Sequence, residues 1–307
     1  MNLIHAATEV KPGDRKVCLA IGFFDGVHLG HQQIIRQTIG DARQHEGLAL
    51  VLTFDQHPNT VVAPDRAPRL IYSLPQKIRV IESLGNDALL LLRFDLAFSE
   101  QTGEAFIRQL ARDLGRIRSI CVGADFVFGH KRSGDVSLLR QLGTELDFAV
   151  HGIAAVSLDG QAVSSTRIRE AIRAGDIDDA SQMLGRAYSL CGRVVRGDRL
   201  GTKLGFPTAN LDVSGLALPP NGVYAVQAVV QGKAHRAVLN IGHRPTVSQP
   251  TPGLRVEAHL LDFSGDLYGQ EMEITFAAKL RDERTFASLD ELKAQIIRDI
   301  TEGRTRF

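Results

Sequence analysis

Charge of one sign is what this chain most lacks. Its 307 residues carry 36 basic and 35 acidic side chains, a formal balance of +1. No general field draws it to a polyanion, so neither nucleic acid nor an anionic membrane is expected as a partner. Long apolar runs are missing too. None approaches the ~18 residues needed to span a bilayer. Residues 1–16, MNLIHAATEVKPGDRK, have no basic stretch followed by an apolar one, so no signal peptide is expected. Cysteine is scarce. Cys18, Cys121 and Cys191 stand in, or open, apolar runs, and none pairs at CxxC spacing. They read as buried free thiols in a reducing, cytoplasmic setting. Internal repeats and low-complexity tracts are absent, and nothing in the sequence signals an oligomeric state.

What is there is an ordinary globular balance, 44% hydrophobic and 23% charged, with enough chain for two cores. From residue 17 to about 155, short continuous apolar runs alternate with longer amphipathic stretches. Strands are expected at 17–21, 48–54, 88–94, 120–122 and 148–150, and helices at 32–46, 75–84, 100–114 and 136–142. Apolar runs without alternation suit strands buried on both faces. The fold class expected is α/β: a doubly wound parallel sheet with ligands at the carboxyl ends of its strands. Short helices follow at 164–174 and 177–184. The rhythm then changes to short alternating strands at 188–195, 222–230, 233–241, 255–261 and 270–280, closed by an amphipathic helix at 289–300. That pattern predicts a small antiparallel β-barrel with a C-terminal helix. The boundary is expected near 185–187, giving domains 1–185 and 186–307.

The first candidate site is AIGFFDGVHLGH at 20–31, where a strand ends and a helix begins. Gly22, Gly26 and Gly30 let the backbone bend and approach a ligand. The following helix offers its free N–H groups to an anion. His28 and His31 share a helix face, where two imidazoles can donate to phosphate oxygens as pyrophosphate departs. Two surface histidines in an ordinary turn are the plainer alternative. No cysteine, and no carboxylate beyond Asp25, completes a zinc set. GxGxxG is absent, which argues against a Rossmann dinucleotide site.

Three further segments join it. SSTRIR at 164–169 starts a helix with hydroxyls and arginines, a second phosphate clamp or simply a well-capped helix. GADFVFGHKRSGD at 123–135 puts Asp125 where a parallel sheet presents contacts, for a ribose hydroxyl or for Mg²⁺. Phe126 and Phe128 either meet a ligand or pack. In LTFDQHP at 52–58, Phe54 and His57 either line a planar ligand or serve as a core ring and a turn residue.

In the second half, GRVVRGDRLGTKLGFPTANL at 192–211 is not a P-loop, because 201–203 reads Gly-Thr-Lys. Gly197, Gly201 and Gly205 suggest a flexible flap. After Pro207, Thr208 and Asn210 project from one side of an extended segment, and both offer hard oxygens suited to Mg²⁺ with ATP. Glu257, in the alternating strand RVEAHLLDF at 255–263, is a candidate general base or a solvent-facing carboxylate.

The first four segments resemble the GxFDGVHxGH, TFxxHP, GxDFxFG and SSTxIR forms of bacterial bifunctional riboflavin kinase/FAD synthetases. Phe23 and Gln56 depart from the Asn and Pro frequent there. GFPTAN at 205–210 resembles the riboflavin kinase signature. NGVYAV at 221–226, LNIGHRPT at 239–246, VEAHLLDFSGDLYG at 256–269 and 280–300 agree with it. SQPTPGL at 248–254 departs from the glycine-rich form expected there.

This resemblance implies two transfers. Gly22, Phe24, Asp25, Gly26, His28, His31, Asp125, Ser164, Ser165, Thr166 and Arg169 would bind the ATP of FMN adenylylation, with His28, His31 and Arg169 catalytic. Gly201, Lys203, Gly205, Pro207, Thr208 and Asn210 would bind kinase ATP, Thr208 and Asn210 holding its Mg²⁺, with Glu257 deprotonating the ribityl hydroxyl. Phe54, His57, Phe128, Arg281, Glu283 and Phe286 would contact flavin. Riboflavin, FMN, FAD and ATP are the implied partners, and no tightly bound redox cofactor is required. A nucleotidylyltransferase for another phosphorylated substrate, or a flavin-sensing regulator that retains the fold, are the competing readings.

Overall fold

A computed structural model describes residues 1–197, 200–243 and 254–307, apart from the side chains of Leu200, Lys203 and His243. By contact the chain divides into two compact units. One comprises 1–70 and 74–165, and the other comprises 71–73 with 166–307.

The first unit is built on six parallel strands: β1 (Asn2–Ile4), β2 (Val17–Ile21), β3 (Leu48–Phe54), β4 (Ala88–Leu92), β5 (Ile117–Gly123) and β6 (Ala149–Ile153). They lie in the order β1-β4-β3-β2-β5-β6. The apolar runs predict all but β1, whose three residues at the sheet edge are too few to show a period. Alternate side chains go to opposite faces. Leu19, Ile21, Leu50, Leu52 and Leu90 pack with Phe106, Ile107 and Leu110 of α3 (Gly103–Leu114) and with Leu139 of α4 (Val136–Leu146). Cys18, Ala20, Val51, Leu89 and Cys121 pack on the other face. Their partners are Ile34, Ile35 and Ile39 of α1 (Leu29–Gln44) and Ile81 of α2 (Leu74–Glu82). Both faces are covered, as doubly wound sheets require. From β2 the chain runs outward to β3 and β4, then crosses to β5 and β6 on the other side. The strand order therefore reverses between β2 and β5, where such sheets bind ligands.

The helix expected over 100–114 is shorter at its start. Thr102 caps α3 by accepting from the Ala105 N–H (3.3 Å), and a separate turn spans Leu96–Ser99.

In the second unit α5 (Ser165–Ala174) and α6 (Ile177–Leu184) precede a closed antiparallel barrel. Its strands are β7 (Ser189–Val195), β8 (Ala209–Asp212), β9 (Gly222–Val230), β10 (Lys233–His243), β11 (Leu254–Leu260) and β12 (Glu271–Asp282), in the order β7-β8-β11-β10-β9-β12. Leu190, Val226, Leu239, Ile241, Val256, Ala258 and Ile274 fill its interior. α7 (Leu289–Arg304), capped by Ser288, closes the chain. The segment expected as a flexible flap holds one helical turn, Leu200–Leu204. Among the described residues, no helix is long and apolar enough to cross a membrane.

Candidate active sites

The turn after β2 is backbone-strained. Phe24 (φ 54°), Gly26 (φ 74°) and Val27 (φ 43°) all lie in the left-handed region. For a β-branched residue this costs on the order of 1–3 kcal/mol, and such strain clusters where a ligand is held. The turn lifts His28 to cap α1. Its Nδ1 accepts from the His31 N–H (3.4 Å), so the neutral ring carries its proton on Nε2. The two imidazoles stack with centroids 3.6 Å apart and planes 21° from parallel. His31 also meets Phe24 edge-on at 5.3 Å.

The Phe24 ring is 1% exposed and belongs to the core, so its main chain alone shapes the turn. That ring lies over Gly22, where a Cβ would come within 2.7 Å of it, so residue 22 must be glycine. Asp25 is buried, and its carbonyl accepts from the Ser165 hydroxyl (3.1 Å), which ties the start of SSTRIR to the histidine turn. Ser164 is half-buried, Thr166 exposed and Arg169 buried.

Asp125 stands exposed just past β5, on the other side of the strand reversal from the histidine turn. Phe128 stacks on Phe126 at 5.1 Å and lies over Gly103 and Gly134. Phe54 joins Phe94 and Phe98 at 5.5 and 5.4 Å. His57 caps the short helix Pro58–Val62 by accepting from the Asn59 N–H (3.1 Å) and sits edge-on to Phe23 at 4.9 Å.

Lys77 on α2 escapes the sequence reading. It is 3% exposed, and its Nζ donates to the carbonyls of Phe54 (2.8 Å) and Phe23 (3.1 Å) and to Thr53 Oγ1 (3.3 Å). Burial pushes its pKa down to about 8, against the pull of Asp25 and Asp55. Its signal in the sequence is a charge four residues before Ile81, on the buried face of a helix.

In the barrel, Asn210 of β8 pairs directly with Glu257 of β11, and Glu257 with Asn240 of β10. Directly opposed residues bring their Cβ atoms to roughly 5 Å. Glu257 lies on the half-buried face, opposite the interior side chains Val256 and Ala258. Arg255 Nη1 stands 3.9 Å from its carboxylate. Thr208 and Asn210, two apart, are both half-buried. Gly197 and Gly201 close over them. A Cβ at 197 would overlap the Asn210 amide, and one at 201 would lie 3.1 Å from Thr208 Oγ1. Gly205 takes φ 91°, and the Pro207 carbonyl accepts from His259 Nδ1 (2.7 Å). Among the described residues no three His, Cys, Asp or Glu side chains gather as a metal cluster.

Arg281 binds Asp299 of α7 through Nε (2.9 and 3.1 Å) and Nη2 (2.8 Å). Glu283 accepts from the Asn221 amide (3.0 Å), and Phe286 is faced by Arg284 at 4.8 Å and Arg281 at 5.8 Å. The Lys203 side chain and residues 198–199, 244–247 and 248–253, which include most of SQPTPGL, lie outside the described residues.

A nucleotide-handling turn on a doubly wound sheet, followed by a barrel with a carboxylate opposite a hard-oxygen pair, defines a class: two ATP-using transferase modules in one chain. Two protein families match accordingly, FAD synthetase over residues 10–167 and riboflavin kinase over 184–307. The bifunctional riboflavin kinase/FMN adenylyltransferase of Escherichia coli K12 is 38% identical over all of this chain and 98% of its own length. That of Haemophilus influenzae is 37% identical over 99% and 97%. A crystal structure described as a macrolide-efflux protein from Streptococcus pneumoniae superposes with a TM-score of 0.81 at 28% identity, covering 99% of both chains. The chain belongs to the bifunctional riboflavin kinase/FMN adenylyltransferase family.

Proposed function

We propose the residues that carry the two steps of this family's chemistry in this chain. The chain phosphorylates riboflavin to FMN in its C-terminal part and adenylylates FMN to FAD in its N-terminal part, both with ATP. The functional division proposed is 1–185 and 186–307.

In the barrel, Glu257 takes the proton of the riboflavin 5′-hydroxyl as that oxygen attacks the γ-phosphorus of ATP and ADP leaves. The direct pairing of Glu257 with Asn210 carries this assignment, because it puts a base beside the oxygens that steady the nucleotide. Mg²⁺, when bound, neutralises phosphate charge, and Thr208 and Asn210 are the residues proposed to hold it. Gly201, Lys203, Gly205 and Pro207 border the nucleotide. Glu283 and Phe286 cover the flavin, with Arg281 fixing their loop through Asp299.

In the sheet domain, the FMN phosphate attacks the α-phosphorus of ATP, the α–β bridge breaks, and pyrophosphate departs. The nucleophile is already an anion, so no general base and no covalent enzyme intermediate is needed. His28, His31 and the N–H groups opening α1 meet the charge that develops on the leaving group. Ser165 holds the turn through the Asp25 carbonyl. For Ser164, Thr166 and Arg169 the resemblance to the SSTxIR helix is the support. Asp125 takes the ribose or the cation, and Phe54, His57 and Phe128 border the isoalloxazine. Three free, buried cysteines fit a cytoplasmic setting.

Paired substitutions test the separation of sites. His28→Ala should cut FAD formation by about 100-fold, the size of losing one charge-stabilising donor, while FMN formation persists. Glu257→Gln should abolish FMN formation yet still make FAD from supplied FMN. Equal loss of both activities in either variant would refute two separate sites.

A further inference from the structure

The phosphate-binding turn is held from behind by a residue that neither step uses. Lys77 Nζ has three acceptors, the carbonyls of Phe23 and Phe54 and the hydroxyl of Thr53, at 3.1, 2.8 and 3.3 Å. An ammonium has three N–H bonds and no lone pair, so this arrangement is complete only for the charged form. Thr53 Oγ1 donates in turn to the Phe23 carbonyl (2.9 Å), and the Phe23 ring lies under the ammonium at 4.2 Å. Phe23 immediately precedes Phe24, the first of the left-handed residues of the turn, so the contact grips the chain where its strain begins.

We propose that Lys77 is a positioning residue for FMN adenylylation: its ammonium clips the phosphate-binding turn at Phe23 to the end of β3 and so keeps His28 and His31 aimed at the triphosphate. The proposal rests on the assignment of residues 22–31 to the ATP of that step.

Deprotonation leaves two donors for three acceptors and turns a lone pair toward a carbonyl. The Lys77 pKa of about 8 puts that change within reach of mild alkali. The ionisable groups facing the amine are Asp25 on the turn, Asp55 past β3, and His57, which abuts Phe23. The FMN phosphate finishes ionising near its second pKa, about 6, and adds no alkaline limb of its own. Unfolding does not imitate the effect either. A lysine lowered from 10.5 to about 8 in the fold binds its proton more tightly in the unfolded chain, so between those values its contribution to stability rises with pH.

The test uses the full chain, with FMN and MgATP supplied, and follows kcat/KM for FAD formation from about pH 6.5 to 9.5. Riboflavin phosphorylation at neutral pH in the same preparations reports that each variant is folded. The wild type should lose about tenfold per pH unit above pH ~8. Lys77→Arg, which keeps its charge, should lose that limb while retaining activity. Lys77→Met should fall at least about tenfold at neutral pH, with a flat profile and riboflavin phosphorylation intact. A wild-type profile flat to pH 9.5, an Arg variant that keeps the limb, or a Met variant that forms FAD at the wild-type rate would each overturn the proposal. The wild-type and Arg profiles decide the matter even if the Met variant does not fold. Absence of FAD at every pH in the wild type would instead overturn the ATP assignment on which the proposal rests.

Discussion

Gly197 and Asn210 form one of the tightest contacts described in the kinase module: no side chain fits at 197 without displacing the Asn210 amide. Asn210 in turn faces Glu257 across the strand pair. A displacement of about 1 Å at such a site can cost 100-fold in rate. Gly197→Ala should therefore lower kcat/KM for riboflavin phosphorylation by at least about tenfold and leave FAD formation from supplied FMN unchanged, as a product-resolved assay of the two steps would read. At this scale the sequence was only partly legible. His28 and His31 stand out by residue type and position at a strand-to-helix turn, and Asn210 and Glu257 only through the resemblance to riboflavin kinases. Phe24 does not show its place by residue type, because its ring packs in the core while its left-handed backbone shapes the turn. Nor does Lys77, whose three acceptors come from segments 23 to 54 residues away.

Helix α7 docks through one buried charge pair. Asp299 accepts from Nε and Nη2 along one edge of the Arg281 guanidinium and from the Gln295 amide (2.7 Å), with its side chain 6% exposed. Removing one partner of such a pair strands the other, at a cost of about 3 kcal/mol or more. Asp299→Ala should lower the unfolding free energy of the unit that contains the barrel by that amount in a denaturant titration. It should also raise KM for riboflavin, since the 281–286 loop loses its anchor. A change under ~1 kcal/mol would mean the pair offsets no more than its own desolvation. Apolar runs make β2 and β3 readable to the residue, because burial on both faces keeps nearly every position apolar up to the ends. Caps are harder to see. Thr102 starts α3 inside a stretch whose composition is helical throughout, and β8 hides in a glycine-rich segment where cross-strand pairing, not local propensity, makes the strand.

For the whole molecule, the change from strand–helix alternation to short alternating strands gave away two modules and their order. Where the connecting helices belong was not legible. α6 lies N-terminal to the expected boundary, yet its Ser181 hydroxyl accepts from the Tyr188 N–H (2.9 Å) at the entrance to the barrel, and by contact the residues from Thr166 onward group with that unit. Amphipathic helices advertise a buried face but not the surface that buries it. The two activities together make FMN, the product of the C-terminal site, the substrate of the N-terminal one. The most direct measurement is a time course of the full chain with riboflavin and MgATP, with riboflavin, FMN and FAD separated at each point. FMN should appear first and then decline as FAD and pyrophosphate accumulate in equal amounts. FMN that accumulates without FAD, or FAD formed without stoichiometric pyrophosphate, would contradict the account.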